Sequence, residues 1–435
     1  MPLPCPTTFF HNSCSELPKD WCALACVAGV FLFFLLLPVR SDPSLVIGLS
    51  CLCGILALRG KAETKKLLRN PLVRVAALSF ACFFLVTVLS SVPQWELLRQ
   101  TPRILLWGAA FTAGICISAL MPGHGFHFFA ALVLMLLLSL VFAAVVIGTD
   151  SPSIWQYSRL KLFAMHPSRL ALLCAAGIFY TVHRLLTAPN LPLACLFFSL
   201  TALLMWVLHL TNTRAVFLMV PLGLAMFVFS LPRQRIKGFI ITGLVILLVA
   251  AGALYATRHL PHSARLISAV GNISRDPTFL SRMPIWETGW EAFKEAPILG
   301  NGFRSFPELY AKKLSVSNRE WTERYGLYDK SAKNAHNLLL SRMVESGALG
   351  ATGFALFFLS GAVAVCRLPR RNRWVLALPV FYMGIGLVDD TLYRANDIFV
   401  LLTLGAATGL YATGGEDEGE RADQAEHSAG RSPAP

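Results

Sequence analysis

Residues 256–336 read ATRHLPHSARLISAVGNISRDPTFLSRMPIWETGWEAFKEAPILGNGFRSFPELYAKKLSVSNREWTERYGLYDKSAKNAH. They form the long polar interval of a chain that is otherwise almost continuously apolar, and they carry twelve Lys and Arg residues against eight Asp and Glu residues. This composition is typical of a folded segment in water. The interval therefore divides the apolar sequence into two parts, and it predicts a loop domain between them.

Two helices are predicted within this loop domain. Trp286, Trp290 and Phe293 recur at spacings of four and three, which places them on one face of a short helix that begins at Pro284. The glycines of residues 300–302 then predict a turn. A second amphipathic helix is predicted from a further apolar set: Phe306, Leu309, Tyr310 and Leu314. Such a loop is also compatible with a cap on a transporter.

Composition sets the class of protein. Hydrophobic residues make up 55% of the 435-residue chain, charged residues only 14%, and the mean hydropathy is +0.59. A soluble chain of this length would not stay dispersed with such a composition, so we expect a polytopic membrane protein. The net charge of +14 lies in the loops. It indicates membrane orientation and anionic partners, and it does not indicate nucleic acid, because no basic module with interleaved aromatic residues is present.

The cysteines exclude two kinds of site. None of the eleven cysteines lies within residues 256–336, so no disulfide framework is expected in the loop domain. No Cys and His cluster has the spacing of metal ligands. We therefore expect neither a metal nor another cofactor.

The apolar sequence predicts about twelve membrane spans, since a bilayer core of roughly 30 Å needs about 20 helical residues. They cover approximately residues 21–38, 43–58, 72–91, 104–120, 125–148, 168–186, 190–208, 214–230, 237–255, 336–366, 372–388 and 395–412. The expected fold is an all-α polytopic membrane protein with one large, mostly helical periplasmic loop. Its expected parts are a cytoplasmic N-terminus 1–20, spans one to nine in 21–255, the loop domain 256–335, spans ten to twelve in 336–412, and a disordered cytoplasmic tail 413–435.

The short loops predict the orientation, because Lys and Arg in short connections stay on the cytoplasmic side. Basic residues concentrate in 59–69, 233–237 and 367–373, which fall on one side in the twelve-span arrangement. Residues 1–20 lack a basic segment followed by a cleavage site, so the first span is expected to be retained. Both termini are then cytoplasmic, and residues 256–336 lie outside the cytoplasm.

Basic residues stand at helix starts that point to the outer face. They are Arg169, Arg214 and Arg282, and His336 opens the tenth span. A helix start already carries a partial positive charge, so these residues are unfavourable there unless an anion accompanies them. A bound phosphate or pyrophosphate is the economical explanation. The alternative is that each Arg side chain extends to lipid headgroups.

Three motifs follow one another in and after the loop domain: RMPIW at 282–286, PILGNGF at 297–303 and NAHNLLLSRMVESGALG at 334–350. They resemble the region shared by the O-antigen ligase and O-antigen polymerase superfamily. That region has an Arg followed by Ile-Trp, a Pro-Ile-x-Gly-x-Gly-Phe turn, and a His-Asn that opens a helix with a Glu nine residues on. Each motif alone is weak evidence, whereas the three in this order are fairly specific.

The resemblance implies a metal-independent glycosyltransferase of the membrane C-type fold. Such an enzyme transfers a glycan from undecaprenyl diphosphate to a hydroxyl group at the outer face of the inner membrane. His336 would lie in the first helical turn, where the dipole favours a neutral ring that can accept the proton of the hydroxyl. Arg214 and Arg282, with Arg169, would bind the diphosphate. A purely diphosphate-binding role for His336 stays open.

Four further residues are expected to support the site: Asp389, Asp390, Asn337 and Glu345. One of the two Asp residues orients His336 or a substrate hydroxyl, or else pairs with Arg394. Glu345 is expected to lie about 13 Å deeper than His336 on the same helix and to pair with Arg342 rather than to act in catalysis. Gly347 and Gly350 are expected to permit close helix packing.

Within the superfamily, the chain is expected to be an O-antigen ligase. Its one dominant polar loop, with only 149–168 as a modest second, favours a ligase over a polymerase, and it lacks the additional C-terminal region of protein-glycosylating transferases. The donor would be undecaprenyl diphosphate-linked O-antigen, the acceptor lipid A–core oligosaccharide, and membrane lipids would surround the spans. The alternative from another class is a twelve-span secondary transporter, but spans one to eight are nearly free of charge at mid-depth.

Overall fold

The computed structural model describes residues 21–37, 44–90, 94–121, 125–147, 155–156, 159–163, 165–232, 236–237, 240, 277–326, 331–387 and 395–414. Within these ranges the chain is almost entirely helical, as the composition predicts. The exception is a hairpin of two two-residue strands, β1 (Trp155–Gln156) and β2 (Arg159–Leu160). The sequence analysis did not predict this hairpin.

The helices before the loop domain are α1 (Trp21–Leu36), α2 (Ser44–Leu58), α3 (Ala62–Arg69), α4 (Pro71–Leu89), α5 (Gln94–Leu120), α6 (Phe128–Phe142), α7 (Pro167–Leu186), α8 (Leu191–Leu210) and α9 (Arg214–Ala225). A π turn at Ala143–Ile147 extends α6, and a 3-10 turn at Met226–Phe229 extends α9.

The loop domain contains α10 (Pro277–Leu280), α11 (Met283–Glu295) and α12 (Phe306–Tyr325). The helices after it are α13 (Leu338–Arg367), α14 (Ala377–Gly386), which follows a 3-10 turn at Arg370–Leu376, and α15 (Ala395–Ala412).

The described residues contain six helices that are long and apolar enough to cross a membrane: Pro71–Leu89, Thr101–Leu120, Phe128–Val145, Pro167–Leu186, Leu191–Leu210 and Leu338–Arg367. A seventh span is formed if α2 and α3 count as one helix bent by 111°. Three further apolar helices are shorter. The chain is therefore a membrane protein, while the number twelve stays a prediction, and the expected ninth span at 237–255 lies outside the described residues.

The membrane helices pack through aromatic rings and small residues. Phe129 lies 4.9 Å from Phe128 and 5.0 Å from Phe399, measured between ring centroids, and joins α6 to α15. A Cβ atom at Gly114 of α5 or at Gly405 of α15 would overlap the backbone of the facing helix. These two helices therefore approach closely, as small residues allow in membrane proteins.

The loop domain has a core of its own. Its buried residues are Ile285, Ala292, Phe306, Tyr310, Trp321, Ala332, Ala335 and Val344. Tyr310 stacks on Phe306 and on Trp321, with ring centroids 6.0 and 5.6 Å apart, so the second predicted helix packs by the face that the sequence predicts.

The first predicted helix, α11, contacts the core with two of its three aromatic residues. Trp286 and Phe293 are partly buried against the core of the loop domain, whereas Trp290 is 51% exposed. The most buried side of the helix consists of Pro284, Ile285, Thr288, Gly289 and Ala292. The small residues among them allow α13 to pack closely, since a Cβ at Gly289 would lie 2.8 Å from Leu340 Cδ2.

The helix α13 is broken at Gly347, whose φ of 62° and ψ of −171° are not helical. The turn at residues 297–302 fills the break. The amides of Asn301 and Gly302 donate to the carbonyls of residues 344 and 345, at 2.8 and 3.0 Å. In return, the carbonyl of Pro297 accepts from Ala348, at 2.8 Å. The turn thus satisfies the backbone groups that the break would leave unpaired.

Gly347 consequently has a role that differs from the expected helix packing. A Cβ at this position would overlap the carbonyl oxygen of Ile298, and φ lies in the left-handed region. The residue must be glycine both for backbone conformation and for the approach of the turn. Gly350 does pack closely, since a Cβ there would lie 3.2 Å from Val86 of α4.

Contacts between aromatic side chains show which helix ends lie on the same side of the bundle. Phe179 of α7 lies 5.3 Å from Phe381 of α14, while His183, one turn further along α7, lies 4.8 Å from Trp374, which precedes α14. The helices α7 and α14 are therefore antiparallel. Phe227, after the end of α9, also lies near Trp374, at 6.5 Å. The helices α7 and α9 accordingly begin at the same end of the bundle, where α14 finishes, and we call it the outer end.

The first segment of α13, Leu338–Ser346, lies along the outer end. At its start, Leu338 packs against Gly386, the last residue of α14. A Cβ added to Gly386 would lie 3.1 Å from Leu338 Cβ. Just past its end, Gly350 faces Val86, near the end of α4. Both contacts are with the last turns of membrane helices. Glu345 lies in this first segment, before the break at Gly347. That it lies deeper in the membrane than His336 stays a prediction.

Candidate functional site

Arg214 is the first residue of α9 and lies at the outer end. The N-cap residue is Thr213, and the preceding Asn212 has a left-handed backbone, with φ of 50°. The helix α9 packs against α14: a Cβ at Gly384 would lie 3.0 Å from Met219 Sδ. Arg214 is about 7 Å further toward the outer end than Met219, by helical rise. It is partly buried.

Arg169 lies in the first turn of α7 at the same end. Its N-cap is His166, whose Nδ1 atom accepts from the amide of Ser168 at 3.3 Å. The Arg169 residue is only 3% exposed. This burial contradicts the interpretation that its guanidinium extends to lipid headgroups, because the side chain is enclosed by the protein. The positive charge of Arg169 therefore lies beneath the protein surface at the outer end.

Arg282 and His336 lie at the starts of two helices that run side by side. Arg282 is the N-cap of α11, and His336 comes shortly before α13. Gly289 of α11 packs on Leu340 of α13, and Asn301 Nδ2 donates both to Ala292 and to Val344, at 2.9 and 3.3 Å. The two helices are therefore parallel, so Arg282 and His336 are on the same side of the loop domain.

His336 does not lie in the first helical turn, as the sequence analysis predicted. It precedes the N-cap, has a left-handed backbone with φ of 44°, and donates its amide to Asn334 Oδ1 at 3.2 Å. The N-cap is Asn337, whose Oδ1 accepts from the amide of Leu340 at 3.0 Å. A left-handed backbone in a residue other than glycine is sparsely populated and is frequent at functional sites.

Asn337 joins the loop domain to the membrane helices. Its Nδ2 atom donates to the carbonyl of Leu387, just past α14, at 3.0 Å. The expected supporting residues Asp389 and Asp390 follow Leu387 in sequence, and both lie outside the described residues. Arg394 does as well. Since α14 also packs against α7 and α9, its outer end is the common neighbour of the helix starts that carry Arg169, Arg214 and His336.

Glu345 and Arg342 form the expected ion pair. Their side chains are 2.9 Å apart, and each is 1% exposed. Glu345 also accepts the amide of Arg304 at 3.0 Å. The guanidinium of Arg342 lies over the rings of Trp107 and Phe303, at 5.4 and 5.7 Å. Glu345 is thus tied to the turn that fills the break in α13, which is a structural position.

Arg159 in β2 was not predicted as a site residue. Its Nε atom donates to the carbonyl of Thr211 and its Nη2 atom donates to Thr213 Oγ1, both at 2.9 Å. It therefore contacts the turn that precedes Arg214. The alternation of polar and apolar residues from 159 to 162 is a signal for a half-buried strand, but no sequence pattern indicates a partner more than fifty positions away.

The starts of α7 and α9 at the outer end carry Arg169 and Arg214, Arg282 is the N-cap of α11, and His336 lies just before α13. Helix starts add partial positive charges of their own. Such a surface can bind an anion with two phosphate groups and can stabilise negative charge that develops on them. Among the residues that the structure describes, no group of three or more His, Cys, Asp and Glu side chains is arranged to hold a metal ion.

The described residues thus combine helices that are long and apolar enough to cross a membrane with a polar helical domain, and basic residues stand at several helix starts. Residues 197–355 match the family described as O-Antigen ligase. A segment of 81 residues is 28% identical to the Exopolysaccharide production protein ExoQ of Rhizobium meliloti (strain 1021), and it covers 19% of this chain and 18% of that protein. The shared segment thus spans less than a fifth of the length of this relative.

The match of residues 197–355 confirms, over that region, the resemblance of the sequence motifs to the O-antigen ligase and polymerase family. Members of this family are glycosyltransferase-like enzymes, and their substrates are lipid-linked polysaccharides in general. The matched region contains five of the candidate residues: Arg214, Arg282, His336, Asn337 and Glu345. Arg169, Asp389 and Asp390 lie outside the matched region.

Proposed function

We propose that the protein is an O-antigen ligase. It transfers an O-antigen glycan as one block from undecaprenyl diphosphate to a hydroxyl group of lipid A–core oligosaccharide. The reaction takes place at the periplasmic face of the inner membrane of a Gram-negative bacterium, and it completes lipopolysaccharide. The observation that carries this proposal is the match of residues 197–355 to the O-antigen ligase family, since this region includes Arg214, Arg282 and His336, which lie at or just before helix starts.

Arg214 and Arg282 bind the diphosphate of the donor. Both are at helix starts, where the backbone dipole adds to the side-chain charge. Guanidinium groups bind phosphate oxygens with two parallel hydrogen bonds, so they fix the leaving group in position. Arg169 is buried behind the surface and raises the positive potential there. These charges stabilise the diphosphate more strongly as it departs with additional negative charge.

His336 accepts the proton of the acceptor hydroxyl. The oxygen of that hydroxyl forms the new bond to the anomeric carbon, while the bond from this carbon to the diphosphate oxygen breaks. The proton goes to His336, and undecaprenyl diphosphate leaves with the electron pair. A single displacement of this kind inverts the anomeric centre. Asn337 holds the segment of His336 against the end of α14, where Asp389 and Asp390 are placed by sequence to orient the imidazole or the acceptor.

Polymerisation of lipid-linked repeat units is the second candidate function. The observation that favours it is the similarity to an exopolysaccharide production protein, since its name indicates synthesis of a polysaccharide. The proposed site would serve this reaction equally, because the donor would carry the same diphosphate. The two functions differ only in the acceptor.

Deletion of the gene distinguishes the candidates. Surface glycolipid and lipid-linked glycan are analysed together by gel electrophoresis and mass spectrometry. A ligase deletion leaves bare lipid A–core and accumulates long lipid-linked chains. Core that carries a single repeat unit would instead indicate a polymerase. Unchanged glycan with a lost solute uptake would contradict both functions and would support the transporter.

A further inference from the structure

Arg159 spans the turn that leads into Arg214. Its two hydrogen bonds go to residues on either side of Asn212: one to the carbonyl of Thr211 and the other to the hydroxyl of Thr213, both at 2.9 Å. The guanidinium group is planar and rigid, so two bonds from it fix the distance and the orientation between the two ends of the turn.

The hairpin that carries Arg159 is itself firmly held. Leu160 is buried. Leu162 and Met165 form an isolated β-bridge, and both are completely buried in the hydrophobic core between the helices. The main chain of Arg159 therefore cannot shift easily. Through the hydrogen bonds of its guanidinium, Arg159 links this hairpin to the start of α9.

The turn needs such support for two reasons. Asn212 adopts a left-handed backbone, a sparsely populated conformation that Asn tolerates better than most residues other than glycine. In addition, Thr213 is the N-cap of α9 but makes no side-chain capping hydrogen bond to the helix. Its hydroxyl accepts from Arg159 instead. The start of α9 is consequently held by Arg159, together with two longer hydrogen bonds between Thr211 and Thr213 at 3.2 and 3.4 Å, and not by a side-chain cap.

We propose that Arg159 is a positioning residue for Arg214. It keeps the turn at 211–213 in one conformation, so that Arg214 begins α9 at the outer end and meets the diphosphate of the donor. This inference rests on the proposed function for its effect on catalysis. Its structural part, that Arg159 and Thr213 together order the start of α9, stands without that function.

The test uses the purified full-length protein and four variants: Arg159→Gln, Thr213→Val, their combination, and Lys161→Gln as the control. Lys161→Gln removes the same charge from the same hairpin but leaves both bonds to the turn. Hydrogen–deuterium exchange is measured for the amides at the start of α9. Arg159→Gln should speed their exchange about tenfold, the amount expected for about 1.4 kcal/mol of lost stabilisation, and Lys161→Gln should leave it unchanged.

Transfer kinetics are measured with undecaprenyl diphosphate-linked O-antigen as donor and lipid A–core as acceptor. Arg159→Gln should raise the KM for the donor or lower kcat, with a loss of about tenfold in kcat/KM per folded molecule. Thr213→Val should have a smaller effect in the same direction. In the Arg159→Gln background it should have a smaller effect than in the wild type, because the hydrogen bond between the two residues is already lost and only the bonds of Thr213 with Thr211 remain to be removed. Arg159→Lys should restore part of the activity.

Three results would overturn the inference. Unchanged exchange at the start of α9 in Arg159→Gln would show that Arg159 does not order the turn. Additive losses in the double variant would show that Arg159 acts on the substrate itself. A lower thermal midpoint with unchanged kinetics per folded molecule would show a purely structural role. If the wild type transfers no glycan while exchange changes as expected, the proposed function fails and the ordering of α9 by Arg159 stands.

Discussion

The guanidinium of Arg342 lies 2.9 Å from the carboxylate of Glu345, and both side chains are buried. Removing one charge of such a pair leaves the other without compensation, at a cost of about 3–5 kcal/mol. We expect Glu345→Gln to lower the thermal midpoint in detergent strongly, while activity per folded molecule is retained at a permissive temperature.

The double variant Glu345→Gln with Arg342→Met is the control for this prediction. It removes both charges, so it should be more stable than Glu345→Gln alone. If Glu345 were catalytic, Glu345→Gln would instead lower the turnover of folded molecules by about 100-fold or more, and that result would refute its structural assignment.

The break in α13 predicts a severe effect of Gly347→Ala. The new Cβ would overlap the carbonyl of Ile298, and the backbone would be strained at φ of 62°. Gly326→Ala is a matched control, because φ is 68° there but no atom lies within 4 Å of the new Cβ. We expect Gly326→Ala to cost about 1–2 kcal/mol and Gly347→Ala clearly more, measured by thermal unfolding. Equal effects would contradict the docking of residues 297–302 into the break.

Two substitutions of Asn337 should differ in their effect on stability. Asn337→Asp keeps an oxygen that caps α13 but loses the donor to Leu387, whereas Asn337→Ala loses both. We expect Asn337→Ala to be less stable than Asn337→Asp by about 1 kcal/mol, the usual value of an N-cap. Both variants should transfer glycan more slowly than the wild type, because each releases the segment of His336 from α14. Wild-type kinetics in Asn337→Asp would argue against this link.

The ion pair between Lys313 and Glu291 predicts a small effect at alkaline pH. The hydrogen bond that Lys313 donates to the carboxylate of Glu291, at 2.7 Å, raises the pKa of Lys313 above its usual value. A raised folded-state pKa stabilises the protein below the unfolded-state pKa, and this contribution is lost as the pH rises through the folded-state value, above about pH 10. The pair is partly exposed, so we expect less than about 1 kcal/mol.

The measurement is the thermal midpoint of the wild type and of Lys313→Met as a function of pH. The difference between the two proteins should be small near neutral pH and should shrink at alkaline pH. A difference that grows with pH would show that another group is responsible.

The sequence predicts the elements of the site better than their arrangement. The apolar spans and the basic residues at helix starts are local patterns, and the helices that begin near Arg169, Arg214 and Arg282 follow from them. The position of His336 before the N-cap was not predicted, because Asn337 is the stronger N-cap residue and takes that place. The motif at 297–303 was recognised as a turn, but its docking into α13 depends on backbone hydrogen bonds that no residue pattern indicates.

Two other differences have physical reasons. A glycine inside an apolar helix usually indicates close packing, so the break at Gly347 is apparent only from its backbone conformation. Arg159 is separated from Thr213 by fifty-four positions and is brought to it by the packing of the hairpin. Composition alone also leaves the number of spans open, since α1, α9 and α15 are apolar but short.

The most direct test is glycan transfer by the purified protein in proteoliposomes that contain undecaprenyl diphosphate-linked O-antigen and lipid A–core. The wild type and the control Gly326→Ala should form full-length O-antigen on the core. Arg214→Ala should lose about 10²–10³-fold in rate and His336→Ala about 10²–10⁴-fold, while both variants insert into the membrane normally. Normal product from Arg214→Ala or His336→Ala, or none from the wild type, would contradict the proposed site and its chemistry.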